Sequence, residues 1–300
     1  MADIQSTSAR SGAPVLVGVD GADPAHAAVL WAASEAAARG VALHILHVEE
    51  LRSGQLPLGA AVGEVGEIVE EHSAAVLAKA VDAVRVAHPD LPVEQIGVEG
   101  QPARRLVKAS KGAALVVVGS HGRRKGPNAA LGSTAFTTAM HATSPVVVVH
   151  PDRTSTHPTG AARVVVGVDG SKRSARALDF AIASAGPGGT VDAVYAWWFD
   201  VAESEAIAGG DELIEQRIRD RYAQKVTRFV ADAAAAHPEV TVNPVAVEGS
   251  PGQVLHARAK DADLLVVGTR GKGGFGGLVL GSTALKALVG SPVPVAVTHR

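Results

Sequence analysis

The stretch Val15-Leu16-Val17-Gly18-Val19-Asp20-Gly21 decides the fold, because an apolar run here ends in Gly-Val-Asp-Gly. The same pattern returns as Val164-Val165-Val166-Gly167-Val168-Asp169-Gly170. A continuous apolar run of this kind is typical of a strand in a parallel sheet whose two faces are both covered by helices. Each copy therefore predicts the first strand of an α/β domain, with a carboxylate just beyond its carboxyl end.

The two copies belong to a repeat that spans nearly the whole chain of 300 residues. Asp20 and Asp169 differ by 169 − 20 = 149 positions. The same offset aligns further residues without a gap, namely Pro89 with Pro238, Gly119 with Gly268, and Pro145 with Pro294. Such a unit is far longer than the about 20–50 residues of solenoid repeats, so each half should fold as a domain. We predict a first domain at 1–152 with its core at 14–150, a linker at 153–162, and a second domain at 163–300.

Further apolar runs in the first half predict a five-stranded sheet. The strands are expected at Val15–Val19, Ala42–Val48, Val93–Val98, Leu115–Val118 and Val146–Val149. Ala-rich stretches between them predict helices at Pro24–Ala38, Glu64–Ala87, Pro102–Ser110 and Ser133–Ala142. Because strands and helices alternate, each half is predicted to be a doubly wound α/β domain with a mostly parallel sheet.

The composition excludes several classes of function. A formal net charge of −2 gives no overall field that attracts nucleic acid. The chain has no cysteine, which removes disulfides and thiolate metal sites and favours a reducing compartment. No run of about 18 apolar residues predicts a membrane span. We therefore expect a cytoplasmic protein that binds neither nucleic acid nor membrane.

Glycine-rich loops follow the fourth predicted strand of each half. The first reads Gly119-Ser120-His121-Gly122, nine residues, then Gly132-Ser133-Thr134, and the second reads Gly268-Thr269-Arg270-Gly271, nine residues, then Gly281-Ser282-Thr283. Ligands of doubly wound sheets bind beyond the carboxyl ends of the strands, where the strand order reverses. Glycines let a ligand approach the backbone closely, and the start of the following helix offers free amides that suit phosphate. The repeated spacing predicts one binding site for a phosphate-bearing ligand in each half.

The pattern Gly-x2-Gly-x9-Gly-(Ser/Thr) resembles that of the ATP-binding universal stress proteins, and the resemblance covers 14–150 and 163–300. It implies the strand order 3-2-1-4-5 and ATP as the ligand, with or without Mg²⁺. The binding residues that it implies in the first half are Gly18, Asp20, Val48, Val118, Gly119, Gly122, Gly132, Ser133 and Thr134. Those that it implies in the second half are Gly167, Asp169, Ala196, Val267, Gly268, Gly271, Gly281, Ser282 and Thr283.

The resemblance also implies a role and an assembly. We expect a nucleotide-dependent regulator of stress response or growth state, acting on an unidentified protein partner, rather than an enzyme. A weak ATP-hydrolysing or nucleotidyl-transferring enzyme is the alternative, although neither a paired carboxylate nor a base shared by both halves supports it. The apolar last strands predict that the two halves pair in a pseudo-twofold arrangement. Homodimerisation, and the choice between ATP, AMP and cyclic nucleotides, stay open.

His44 and His47 are close enough in the sequence to suggest a pair of metal ligands. Residues three positions apart on a strand point to opposite faces, and no third ligand is evident nearby in the sequence. We therefore predict local packing or hydrogen bonding for these histidines and no metal site.

Overall fold

The computed structural model describes residues 12–50, 62–121, 131–150, 160–208, 212–271 and 280–299. The chain divides into two compact units, Met1–His157 and Pro158–Arg300. None of the described helices is both long enough and apolar enough to cross a bilayer.

The first unit is a five-stranded parallel sheet flanked by helices. Its strands are β1 (Val15–Val19), β2 (Leu43–Glu49), β3 (Val93–Glu99), β4 (Leu115–Gly119) and β5 (Val146–Val149), and its helices are α1 (Asp23–Arg39), α2 (Val62–Ala87), α3 (Pro102–Ala109) and α4 (Ser133–His141). A short 3₁₀ turn, Ser110–Gly112, continues α3. The strand order β3-β2-β1-β4-β5 confirms the predicted doubly wound topology.

The described residues of the second unit repeat this architecture. Its strands are β6 (Arg163–Gly167), β7 (Thr190–Trp197), β8 (Thr241–Glu248), β9 (Leu264–Gly268) and β10 (Val295–Thr298), and its helices are α5 (Lys172–Ala185), α6 (Val201–Ala208), α7 (Glu212–Ala236), α8 (Pro251–Arg258) and α9 (Ser282–Leu288). A 3₁₀ turn, Ala259–Asp261, follows α8. All neighbouring strands within the unit are parallel, in the order β8-β7-β6-β9-β10.

Right-handed crossovers explain how the helices cover the sheet of the first unit. The chain moves from β1 to β2 to β3 in one direction, which places α1 and α2 on one face, and then returns to β4 and β5, which places α3 and α4 on the other. The helix pairs pack accordingly, α1 on α2 and α3 on α4. Because helices cover both faces, consecutive strand residues such as Val15, Leu16 and Val17 are all buried.

The strand pairing shows that the repeat is not free of gaps, which corrects the uniform alignment. Gly18 pairs with Leu46 in the first unit, and Gly167 pairs with Val194 in the second. The glycines differ by 167 − 18 = 149 positions, whereas their partners differ by 194 − 46 = 148. In β2 and β7 the counterparts are therefore offset by 148 residues, and Ala196 corresponds to Val48.

The different ends of α1 and α5 account for this one-residue offset. Helix α1 continues to Arg39 and is terminated by Gly40 in the left-handed conformation, with φ of 63°. Helix α5 ends at Ala185, because Gly186 follows it and Pro187 cannot continue a helix. The uniform alignment missed the difference because the offset returns to 149 in the third strand, where Val98 and Val247 pair with Val48 and Ala196.

Candidate functional site

The described residues of the second unit enclose a cavity of about 110 Å³ at the carboxyl ends of β6 and β9. This is the position where the strand order reverses, and where doubly wound sheets bind ligands. The predicted residues that line it are Gly167, Asp169, Ala196, Val267, Gly268, Gly271 and Thr283. The residues that line it without having been predicted are Val168, Ser174, Val194, Pro251, Leu255 and Arg270.

Asp169 and Gly271 bring the loops after the first and fourth strands of this unit together. The Oδ1 atom of Asp169 accepts a hydrogen bond from the backbone N–H of Ser171 at 2.9 Å, which fixes the turn into α5. A Cβ atom added to Gly271 would lie only 2.5 Å from Oδ2 of Asp169. Gly271 therefore leaves the space beside the carboxylate open, and any side chain at this position would enter that space.

Helix α8 contacts the cavity from the side, a contribution that the sequence motifs did not indicate. A Cβ atom at Gly167 would lie 3.0 Å from Cδ1 of Leu255, so the absence of a side chain at Gly167 allows α8 to pack closely. Pro251 begins the same helix and also lines the cavity. The motifs could not identify these residues, because they lie between the two loops in sequence and belong to neither.

The start of α9 lies beside the cavity. Gly281 is the N-cap residue, and its backbone N–H donates to the carbonyl oxygen of Thr269 at 2.7 Å. Thr283 lines the cavity, whereas Gly281 and Ser282 are outside its described lining. The two ends of the glycine-rich loop are thus joined by a backbone hydrogen bond next to the helix start.

The first unit has the same backbone arrangement. The Oδ1 atom of Asp20 accepts from the N–H of Ala22 at 3.1 Å, and the N–H of Gly132 donates to the carbonyl oxygen of Ser120 at 2.8 Å. A Cβ atom at Gly18 would meet Leu106 of α3 at 3.0 Å, as Gly167 would meet Leu255.

The remaining predicted residues of the first unit occupy corresponding positions. Val48 lies in β2, Val118 and Gly119 end β4, and Ser133 and Thr134 begin α4. Gly122 lies outside the described residues.

A second cavity, of about 420 Å³, lies beside the carboxyl end of β3. Its lining residues are Glu50, Glu99, Gly100, Gln101 and Arg105, and it contains none of the predicted site residues. Gln101, the N-cap residue of α3, lines this cavity, but no residue of either glycine-rich loop does. Its larger volume therefore does not make it the better nucleotide site.

Three titratable side chains meet on the face of β2 that α2 covers. Glu49 Oε2 lies 3.1 Å from Nε2 of His47 and 2.9 Å from Nδ1 of His72. Partial burial acts to raise the pKa of the Glu49 carboxyl, but hydrogen bonds from His72 and His47 outweigh burial and hold this pKa below its ordinary value. His44, the other histidine of the sequence prediction, instead pairs with Glu94.

The corresponding face of β7 carries an aromatic cluster. The ring centroids of Trp197 and Tyr222 lie 4.2 Å apart with an interplanar angle of 14°. Tyr195 stacks on Tyr222 at 6.1 Å, and Phe199 meets the Trp197 ring edge to face at 4.9 Å. Strand β7 and helix α7 are thus joined by stacked rings.

The fold and the cleft define a class: a doubly wound α/β domain, present twice, with a candidate ligand cleft at the switch point of the second sheet. The model of the universal stress protein family matches residues 13–150 and 161–299. The chain therefore belongs to the universal stress protein family, with two such domains in tandem.

Curated relatives match nearly the whole chain over nearly their own whole length. A universal stress protein of Mycolicibacterium smegmatis is 32% identical over 289 residues, covering 95% of this chain and 96% of the relative. One of Mycobacterium tuberculosis is 33% identical over 303 residues, covering 97% and 98%. The crystal structure of a universal stress protein from Archaeoglobus fulgidus matches 97% of this chain and 99% of its own, with a TM-score of 0.70 and 22% identity. That likeness establishes the fold.

Proposed function

We propose that the chain is a nucleotide-dependent regulator in which each domain binds one adenine nucleotide, with ATP, with or without Mg²⁺, as the ligand. The observation that carries the proposal is the cleft of the second unit, in which Asp169, Gly271 and Thr283 line one cavity although they are far apart in sequence. The full glycine-rich pattern of the ATP-binding members, present in both halves, supports the choice of ligand.

The shape of the cleft supports an arrangement for the nucleotide. Small-molecule sites typically measure about 300–1,000 Å³, and the half-open cavity of about 110 Å³ is smaller. A part of the adenosine, such as its base, would therefore occupy the space beside Asp169 and Ala196. The phosphates would extend past the mouth toward the start of α9, where unpaired backbone amides and the helix dipole favour negative charge.

Binding rather than catalysis is the proposed role of the cleft. Among the described residues that line it, Asp169 is the one carboxylate, and no histidine is present. General acid–base chemistry requires a positioned proton donor or acceptor at each end of the reaction, and phosphoryl transfer requires a charge clamp on the transferred group. Arg270 could contact phosphate, but His121 occupies its position in the first unit. The pairing of the domains through their last strands remains part of the proposal.

The decisive experiment is a calorimetric titration of the full chain with ATP, MgATP, AMP and a cyclic nucleotide, with phosphate release measured on the same samples. We expect two ATP molecules per chain and negligible turnover. Gly271→Glu should abolish one of the two sites, because its side chain would enter the space beside Asp169. Gly122→Glu should abolish the other.

Gly112→Glu provides the matched control, since it adds the same charged side chain at an exposed glycine with nothing within 4 Å of the new Cβ. Equal ATP binding by wild type, Gly271→Glu and Gly112→Glu would overturn the proposed site. A preference for AMP or a cyclic nucleotide would replace ATP as the ligand, and rapid phosphate release would favour the enzyme.

A further inference from the structure

The cluster of His47, Glu49 and His72 offers three metal-ligating atoms at one point of the first unit. These atoms, one from each side chain, all lie within 4.8 Å of one another. His47 and Glu49 are two positions apart on β2, so their side chains share a face, and His72 approaches from α2, which covers that face. Val48 lies between them in sequence and belongs to the opposite face, that of the nucleotide cleft. The cluster is therefore separate from the proposed nucleotide site.

His47 is held in the orientation that a metal ligand requires. Its side chain is 4% exposed, and its Nδ1 lies 2.9 Å from the carbonyl oxygen of Val19. A carbonyl oxygen can only accept a hydrogen bond, so Nδ1 carries the proton and Nε2 is the nitrogen directed at Glu49. Metal-binding histidines commonly donate their second ring nitrogen to a backbone carbonyl in this way, which fixes the ring and its tautomer.

The three ligand atoms converge, since Nε2 of His47, Oε2 of Glu49 and Nδ1 of His72 each lie within 4.8 Å of the other two. An imidazole nitrogen and a carboxylate oxygen are both ordinary ligands of transition metals. One metal ion placed between these atoms would contact all three side chains.

The distances fit a small transition-metal ion. With bonds of about 2.0–2.2 Å, two ligands of a tetrahedral Zn²⁺ lie about 3.3–3.6 Å apart. The separations of Glu49 Oε2 from the His47 and His72 nitrogens, 3.1 Å and 2.9 Å, need to widen by a few tenths of an ångström. The two histidine nitrogens lie within 4.8 Å of one another and need to adopt the same spacing. His72 can provide this movement, because its side chain is 43% exposed. Two imidazoles and one carboxylate favour Zn²⁺ and its neighbours in the first transition row over Mg²⁺ and Ca²⁺, which prefer oxygen ligands.

We propose that the first domain binds one divalent transition-metal ion, Zn²⁺ in our test, through Nε2 of His47, Oε2 of Glu49 and Nδ1 of His72. Water or a ligand from a partner would supply the fourth ligand of a tetrahedral ion. The second domain has no equivalent site, because Tyr195 and Trp197 occupy the positions of His47 and Glu49. The proposal is independent of nucleotide binding.

The test is a titration of untagged, chelator-treated full chain with ZnCl₂ in the absence of nucleotide, followed by Co²⁺ as a spectroscopic probe. We expect one ion per chain and a visible Co²⁺ band typical of tetrahedral coordination. His72→Ala should weaken Zn²⁺ binding at least about tenfold, because losing even an outer partner of a ligand costs 10–100-fold. Glu49→Gln preserves the shape of the side chain and should weaken binding similarly.

His237→Ala is the matched control, since His237 is also exposed, at 47%, and also pairs with a glutamate, Glu239 at 3.1 Å. It should leave the affinity and the Co²⁺ band unchanged. Circular dichroism of the metal-free variants should match the wild type. The proposal is overturned if Zn²⁺ does not bind, or if wild type, His72→Ala and His237→Ala bind with affinities within twofold of one another. In that case the three side chains form a hydrogen-bonded cluster only.

Discussion

The second strands of the two domains have equivalent backbones but carry opposite chemistry on the face beneath the long helix. In the first domain His47 and Glu49 meet His72, whereas in the second Tyr195 and Trp197 stack on Tyr222. On the other face, Ala196 lines the cleft of the second domain, and Val48 holds the corresponding position in the first. The comparison teaches that the two domains share the strand order of the sheet. The face beneath α2 or α7 can be filled either by hydrogen-bonded polar groups or by stacked rings, as long as it is well packed and its polar groups are paired.

Of the substitutions that test this comparison, the removal of the Trp197 side chain should have the largest effect on stability. Trp197 is 5% exposed, and Trp197→Ala would remove its ring from the stack with Tyr222. We expect a loss of about 3–5 kcal/mol in the free energy of unfolding. Trp198 is 60% exposed, so Trp198→Ala should change the free energy of unfolding by less than about 0.5 kcal/mol. Urea denaturation of the full chain measures both, and equal effects would show that the cluster does not stabilise the second domain.

The turn between α5 and β7, where the one-residue offset arises, should not tolerate a side chain at Gly189. A Cβ atom at Gly189 would collide with the carbonyl oxygen of Ala185 and lie 2.8 Å from that of Ala162. Gly189→Ala should therefore destabilise the second domain by about 1–3 kcal/mol, the usual cost of overpacking. Gly112→Ala meets nothing within 4 Å and should be neutral or slightly stabilising. Thermal denaturation would contradict this reading if the two variants unfolded at the same temperature.

The first helices of the domains begin differently, and a smaller effect should follow. Ser171 accepts from the N–H of Ser174 at 3.2 Å, and Ser174 Oγ accepts from the N–H of Ser171 at 3.1 Å, which forms a capping box on α5. Ser171→Ala should cost about 1 kcal/mol. The N-cap of α1 is Ala22, with nearly the same backbone angles, so Ala22→Ser should stabilise the first domain. An unchanged denaturation midpoint in both variants would show that the caps contribute nothing.

The smallest expected effect concerns the cation over the aromatic cluster. Lys225 Nζ lies 4.5 Å from the Tyr195 ring centroid and donates to the Tyr195 hydroxyl at 2.6 Å. Lys225→Gln should cost about 0.5–1 kcal/mol, the range of an exposed cation–π contact. Lys260→Gln, at an exposed lysine after α8, is the control and should have no measurable effect. If the free energies of unfolding of the two variants differ by less than the error of urea denaturation, the contact of Lys225 with Tyr195 does not contribute to stability.

The sequence predicted the elements of the first domain closely. Apolar runs located β1 and β5 to the residue, and placed β2 within one residue at each end. The strand order came from the family resemblance, because apolar runs alone do not specify which strands are neighbours. The one-residue offset was missed because the markers aligned on both sides of it kept the spacing of 149.

The residues of the two sites were harder to predict from the sequence than the strands and helices. Asp169, Gly268 and Gly271, which line the cleft of the second unit, could be predicted because the loop pattern repeats, whereas Val168 and Arg270 of the same loops were not. Leu255 could not, because only the packing of α8 against Gly167 brings it to the cleft. The cluster around Glu49 was hidden for a similar reason, as His72 lies 23 positions away and meets the strand only through the crossover of α2.

Backbone hydrogen bonds join Gly132 to Ser120 in the first domain and Gly281 to Thr269 in the second. Each bond holds two residues at a short, fixed separation, although the sequences between them differ. The first insert contains Arg123, Arg124 and Lys125, whereas the second is rich in glycine. An exchange of the two inserts between these positions would therefore test whether the inserts determine the nucleotide affinity of each domain.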